Sequence, residues 1–276
     1  MIGFNYLGRL GRLGNQMFQY ASLRGIAENC GFNYCFPFHE DAVNDGIGNM
    51  LRTELFDCFE MSSVTSLNLQ TIDSGRPVVY EGTFQFNEKL FNECPDWVSL
   101  YGFFQTEKYF QNVEDLIRKD FTFKKEILDP CQEMMGVFYA NSVDPTVVSL
   151  HIRRTDYLTN SCNHTPLELD YYEKALSEFS NDASVIIFSD DPQWCKEQEL
   201  FSGERFLISE NTSGYIDLCL MSLCTDFIIA NSTFSWWGAW LANKGKVIAP
   251  SQWFGPNNEN LNTKDLYLNH WKIIGE

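Results

Sequence analysis

Two adjacent arginines, Arg153 and Arg154, close the apolar run Val147-Val148-Ser149-Leu150-His151-Ile152, and Asp156 follows them. Apolar and β-branched residues in this pattern predict a buried strand. In open α/β sheets, ligands gather beyond the carboxyl ends of the strands. A guanidinium group is a planar fork of donors matched to phosphate oxygens. Neighbouring residues on an extended strand face opposite ways, so one arginine can meet an anionic ligand while the other pairs with a carboxylate such as Asp156. A purely structural ion pair is the plainer reading of the same residues.

Two further apolar runs end in polar groups. Ser184 to Ser189 (SVIIFS) leads into Asp190-Asp191-Pro192, and Thr225 to Ala230 leads into Asn231-Ser232-Thr233-Phe234-Ser235. Ser232 and Thr233 would place hydroxyls and backbone N-H groups at a helix N-terminus, which is an anion site. With Arg153 they describe a diphosphate clamp. Asp190 and Asp191 cannot bind phosphate directly; at such a turn they ligate a divalent metal, cap the next helix, or accept from a nucleoside. No third carboxylate clusters nearby, which favours the nucleoside over a metal. The Trp236-Trp237-Gly238-Ala239-Trp240 segment could stack a ring or belong to the core.

The elements that must position these groups alternate strand and helix. In the second half, strands are expected at 147–152, 184–189, 204–208, 225–230 and 246–249, the last closing the sheet, with helices at 167–179, 215–223 and 234–241 between them. That order implies a doubly wound parallel sheet. The first half opens on a strand from Ile2 to Tyr6, a loop carrying Gly8, Gly11 and Gly14, and a helix from near Asn15. Strand, glycine loop and helix begin an α/β domain, although the glycine spacing does not match a dinucleotide fingerprint. Strands at 32–38, 78–80 and 98–103 and helices at 107–119 and 129–139 follow. The small, polar segment from Ala140 to Pro145 is the expected boundary between domains 1–142 and 143–276, with a C-terminal tail able to pack back on the first.

Composition narrows the class. The chain has 276 residues, 44% of them hydrophobic and 21% charged, which is a packed globular composition of two-domain size. A net charge of -17 argues against a nucleic-acid partner and makes the arginine pair conspicuous. Nine scattered cysteines without a CxxC pair do not form a zinc site or a disulfide framework. With no secretory signal and no membrane-length apolar window, the expectation is a cytoplasmic protein without a transmembrane segment, which leaves room for peripheral membrane contact.

HIRRTDY, IIFSDDPQW and LMSLCTDFIIANSTFSWWGAWLA resemble the donor-site motifs of the α-1,2-fucosyltransferases of glycosyltransferase family 11, and GRLGNQMFQYASLRGIA resembles that family's N-terminal signature. The resemblance implies a GT-B fold, two Rossmann-like domains facing across a cleft. It also implies an inverting, metal-independent transfer of fucose from GDP-β-L-fucose to a galactose-terminated glycan, without a further cofactor. The GDP-fucose side would then be the second domain, with His151, Arg153, Arg154, Asp190, Asp191, Asn231, Ser232, Thr233, Phe234 and Ser235. Arg153 becomes one jaw of the clamp, Arg154 and Asp156 its supporting pair, and His151 a guanine contact. Arg12, Asn15 and Gln16, with Arg9 as a further cation, would serve from the first domain, the acceptor side.

Three departures from the family pattern stand out: Arg12 within Gly11-Arg12-Leu13, where bacterial members read Gly-Gly-Leu; Thr155 in place of glycine; and Ser161 at the position where related α-1,6-fucosyltransferases carry a catalytic glutamate. The base for the acceptor hydroxyl is therefore open among Asp156, His164 and Glu81. A fucosyltransferase of another linkage, or a non-catalytic glycan- or nucleotide-sugar-binding protein, are the competing readings.

Overall fold

The computed structural model describes residues 1–46, 48–141, 144–211 and 213–275. Two compact units divide the chain: Met1–Lys124 with Asn262–Leu268, and Lys125–Leu261 with Asn269–Glu276. The boundary expected at 142/143 lies outside the described residues. The first of these units ends its main segment at Lys124, and the helix that follows packs on a later helix of the second unit.

The first unit contains strands β1 (Ile2–Gly3), β2 (Tyr34–Cys35), β3 (Val43–Asn44), β4 (Met50–Leu51), β5 (Val78–Tyr80) and β6 (Val98–Tyr101), with helices α1 (Leu13–Cys30), α2 (Leu55–Cys58), α3 (Glu88–Glu93) and α4 (Glu114–Asp120). Its sheet runs β2-β1-β6-β5, all parallel, and β3 and β4 form a separate hairpin. Helix α1 is buried on nearly every side, as a helix at the centre of a domain must be. The single helix expected over 107–119 is instead two 3-10 turns, Glu107–Tyr109 and Gln111–Val113, followed by α4. Tyr109 and Phe110 are both fully buried, and the Tyr109 carbonyl lies so close to Gly25 of α1 that a Cβ there would stand 1.8 Å from it. That approach breaks the helical run. From the chain's end, Asp265 returns to this unit and accepts from Lys108 Nζ (2.6 Å) and Phe86 N (3.1 Å).

The second unit begins with α5 (Lys125–Asn141) and continues through β7 (Val147–Ile152), α6 (Thr155–Thr159), α7 (Leu169–Leu176), β8 (Ser184–Ser189), α8 (Pro192–Lys196), β9 (Phe206–Ile208), α9 (Gly214–Leu223), β10 (Asp226–Ile228), α10 (Thr233–Ala242), β11 (Val247–Pro250) and β12 (Lys272–Ile274). All six strands are parallel in the order β12-β11-β10-β7-β8-β9. This is the doubly wound order, whose direction reverses between β7 and β10. The sheet does not close at β11: β12, from the last residues of the chain, pairs outside it. Trp236 and Trp237 are fully buried and Trp240 nearly so, with Trp271 packed on Trp236. The tryptophan segment is core.

Candidate active site at the reversal of the second sheet

Register explains why the arginines and the Asn231-Ser232 turn meet. Ile228 pairs with Leu150 and Ile152 with Ser189, so the ends of β7, β8 and β10 emerge on one edge, at the reversal where doubly wound sheets bind ligands. The ends are tied together. Tyr157 in α6 donates its hydroxyl to the Asn231 carbonyl at 2.9 Å, and the His151 ring lies 5.6 Å from that of Phe234.

Arg153 is the hub. Its Nη2 donates to Asp156 Oδ2 at 2.7 Å, its Nη1 lies 3.2 Å from Asp190 Oδ2, and its guanidinium lies over the Tyr157 ring. Burial works against its charge, but Asp190 and Asp156 outweigh burial and raise its proton affinity. With five donors in the fork, hydrogens remain for an oxyanion, and the side chain is 17% exposed. Asp156 thus supports Arg153, not Arg154 as expected: it sits in the first turn of α6, three residues on, and faces back along the helix. Arg154 turns the other way, its Nε 3.3 Å from Asp191 Oδ2 and its guanidinium 3.9 Å from the centre of the Trp194 ring.

The two aspartates expected to read a nucleoside are committed inside the protein. Asp190 accepts from Arg154 N (2.9 Å), Thr155 N (3.2 Å) and Thr155 Oγ1 (2.5 Å). Burial would raise its proton affinity; Arg153, Thr155 and the Arg154 N-H outweigh burial and hold the carboxyl below the usual carboxylate range. Asp191 caps α8 by accepting from Trp194 N at 3.2 Å. Capping, the plainer alternative at that turn, is what its geometry satisfies.

At the other lip, Ser232 is the N-cap of α10 and accepts from Phe234 N at 3.3 Å. The first turn of the helix aims its amides at the strand edge. Asn231 is buried, donating to the carbonyls of Thr165 (2.9 Å) and Trp253 (3.3 Å), and Ser235 bonds back to Ala230 and Ser232. Those two shape the turn. Thr233 and Phe234 are half-buried and remain at its rim.

Three buried polar atoms without a hydrogen-bond partner lie around Arg153. His151 Nδ1, Asp156 Oδ1 and His164 Nδ1 are all in this state, which is costly unless a ligand or water meets them. Burial, together with the neighbouring Arg153 charge, pushes His151 down to about 3 against the pull of Asp190. His164 stacks on Tyr157 (4.9 Å, 18°), and burial also lowers its proton affinity, Arg153 adding to that and Asp156 opposing it. Both imidazoles are therefore neutral at neutral pH. Tyr157 and Thr155 were missed as site residues, although Tyr157 lies four places after Arg153, on the same face of any helix beginning there.

In the first unit, Gly8 and Gly11 take φ of 81° and 82°, the left-handed turn glycine permits. Arg12 is exposed at the N-cap of α1. Gln16 and Arg9 serve the loop itself. Gln16 is fully buried, donating to the Gly11 and Arg52 carbonyls and accepting from Glu54 N, and Arg9 donates to the carbonyls of Asp41 and Leu51. Asn15 accepts from Gln105 at 3.0 Å. Glu81, the third candidate base, follows β5 and is nine-tenths buried.

The profile of glycosyl transferase family 11 matches residues 2–275. The chain belongs to this family. An Escherichia coli α-1,2-colitosyltransferase is 34% identical, over 96% of each chain. The Escherichia coli O-antigen biosynthesis glycosyltransferase WbnK is 35% identical over 62% of this chain and 60% of its own length. Mouse galactoside α-(1,2)-fucosyltransferase 2 is 25% identical over 87% of this chain and 69% of its own. Among solved structures, POFUT1 in complex with GDP aligns with TM-score 0.54 at 14% identity, covering 88% of this chain and 94% of the other. NodZ α-1,6-fucosyltransferase soaked with GDP-fucose aligns with TM-score 0.51 at 14% identity, covering 95% and 97%. The fold of this glycosyltransferase is accordingly GT-B, built of two Rossmann-like α/β units. Among the described residues no helix is long and apolar enough to cross a membrane.

Proposed function

We propose that this protein transfers L-fucose, or its 3-deoxy relative colitose, from a GDP-linked donor to O2 of a galactose-terminated glycan, with inversion at the anomeric carbon. The observation that carries the reading is Arg153, held charged and part-exposed beside the N-terminus of α10 at the reversal of the second sheet. In the reaction the acceptor oxygen bonds to C1 as the bond from C1 to the diphosphate oxygen breaks. GDP departs with the electron pair, and the β-linked donor gives an α-linked product. The difficult part is the charge gathering on the diphosphate, where preorganised donors act most strongly. Arg153 and the first-turn amides of α10 supply them.

The acceptor proton passes to a base, for which His164 is suited by being neutral with an unpartnered Nδ1. In this reading His151, buried beside Phe234 with its Nδ1 unpartnered, is the guanine contact. The reaction runs on protein groups without a metal, in the cytoplasm.

Colitose lacks only the 3-hydroxyl of fucose. The 34% identity to the colitosyltransferase across both chains, against 25% to the mouse fucosyltransferase, favours including it. Mixing the protein with GDP-fucose or GDP-colitose and lactose, in EDTA, tests the reading: GDP release with an α-1,2 product by NMR supports it. An α-1,6 product would reassign the linkage, and binding without release would make the protein a lectin or nucleotide-sugar binder. Loss of activity in EDTA would overturn the metal-independent step.

A further inference from the structure

We propose that Tyr157 is a positioning residue for the transfer, a single phenol that holds Arg153, His164 and the turn before α10 in one fixed arrangement. The proposal rests on the donor reading only for what Arg153 grips.

These groups form a closed circuit. The Arg153 guanidinium carbon lies 5.7 Å from the centre of the Tyr157 ring, within the range of a cation-π contact. The chain then turns back at Asn160, whose carbonyl accepts from His164 N at 3.0 Å, and that return lays the imidazole on the same ring. Asn231 closes the circuit. Its carbonyl accepts the Tyr157 hydroxyl, and its Nδ2 donates to the carbonyl of Thr165, the residue after His164. Asn231 is fully buried and directly precedes the Ser232 cap of α10.

A second tyrosine shows what a purely structural tie looks like at this place. From α7, the Tyr171 hydroxyl donates to the carbonyls of Ile229 (2.7 Å) and Ile248 (3.3 Å), and its ring packs in the core. It holds the same strand end, two residues before Asn231. With the end of β10 already fastened there, the phenol at Asn231 is not needed to keep the strand in the sheet. What it adds is a link from the turn to Arg153 and His164.

Hydroxyl and ring act separately. Without the hydroxyl, the buried Asn231 carbonyl loses this donor, an unfavourable state, and the turn that aims the α10 amides is released from Arg153. Small displacements of positioned groups are costly to rate. Without the ring, water reaches the imidazole. Burial is now the main influence on His164, with Asp156 favouring its protonated form and Arg153 opposing it; the Phe254 ring, 5.9 Å away, brings no charge. Relief of burial therefore raises the proton affinity of His164.

The test uses GDP as probe, by calorimetry, together with turnover of GDP-fucose and an NMR titration of the His164 imidazole. Tyr157→Phe is expected to weaken GDP binding and to lower kcat, each about fivefold, the equivalent of one neutral hydrogen bond, with the His164 titration unmoved. Tyr157→Leu is expected to shift that titration upward, toward the ordinary imidazole value. Tyr171→Phe, which loses a bond of the same chemistry, is expected to lower the melting temperature and leave GDP affinity as in the wild type. Wild-type GDP affinity in Tyr157→Phe, or equal losses in Tyr157→Phe and Tyr171→Phe, would overturn the positioning role, as would an unmoved His164 titration in Tyr157→Leu. A wild type that binds no GDP would refute the donor reading, and the His164 titration, which needs no ligand, would still decide the arrangement.

Discussion

The Thr155 hydroxyl donates to Asp190 Oδ2 at 2.5 Å, and that same oxygen lies 3.2 Å from Arg153 Nη1. Thr155, one of the three departures from the family pattern, is thus spent on holding the arginine's counter-ion. Thr155→Val keeps the backbone bond to Asp190 and the side-chain shape but removes the hydroxyl. A hydrogen bond of this kind contributes about 1 kcal/mol, so turnover should fall about fivefold while the product linkage stays the same. A changed linkage in the NMR spectrum of the product would show that Thr155 bears on the acceptor instead.

Arg153→Ala should lower turnover on the order of a hundredfold or more, the effect of deleting a preorganised donor of about 3 kcal/mol. Arg153→Lys should not recover it, because a point charge cannot span Asp156, Asp190 and an oxyanion at once. Arg154→Ala, which removes the contacts with Asp191 and Trp194, should act chiefly on the melting temperature. Steady-state rates and calorimetric GDP affinity check the two Arg153 variants, and a thermal melt checks Arg154→Ala; Arg153→Ala within a fewfold of wild type would remove it as the phosphate ligand.

His151 gives stability a pH dependence of known sign. Its ordinary value is 6.5 and its folded value about 3, so the unfolded chain takes up a proton that the folded chain refuses. The contribution is complete above the ordinary value and is lost as pH falls from there through the folded value. His151→Gln should flatten the decline of melting temperature between about pH 6.5 and 4.5, by up to about 2 kcal/mol. Parallel curves for the two proteins would mean that burial does not depress His151.

His164→Phe retains a ring to stack on Tyr157 but cannot take a proton. If His164 is the base, turnover should drop about a hundredfold. The acid limb of the kcat profile should lie below the ordinary imidazole value in the wild type, since burial lowers His164, and should disappear in the variant. Near-normal activity would leave His164 a stacking role alone and turn attention to Asp156.

The sequence by itself determined the central strands of the second sheet, because local patterning is enough to mark them: the apolar runs at 147–152 and 184–189 are buried strands, and each stops at a polar cluster. It also determined that these strands would be parallel and their ends adjacent, since helical segments separate them. Short-range chemistry was legible for the same reason, as with the Ser232 cap. Tertiary structure decided the pairings. Which carboxylate holds which arginine depends on the direction in which α6 leaves β7, and that direction placed Asp156 on Arg153 and Asp191 on Arg154. The break at Phe110 came from the close approach to Gly25, and β12 joined the sheet edge from 22 residues beyond β11 (Pro250 to Lys272). Neither leaves a local signature. Contacts between residues distant in sequence are set by the packing of whole elements, so the bond from the Tyr157 hydroxyl to the Asn231 carbonyl became visible only when β7 and β10 were side by side.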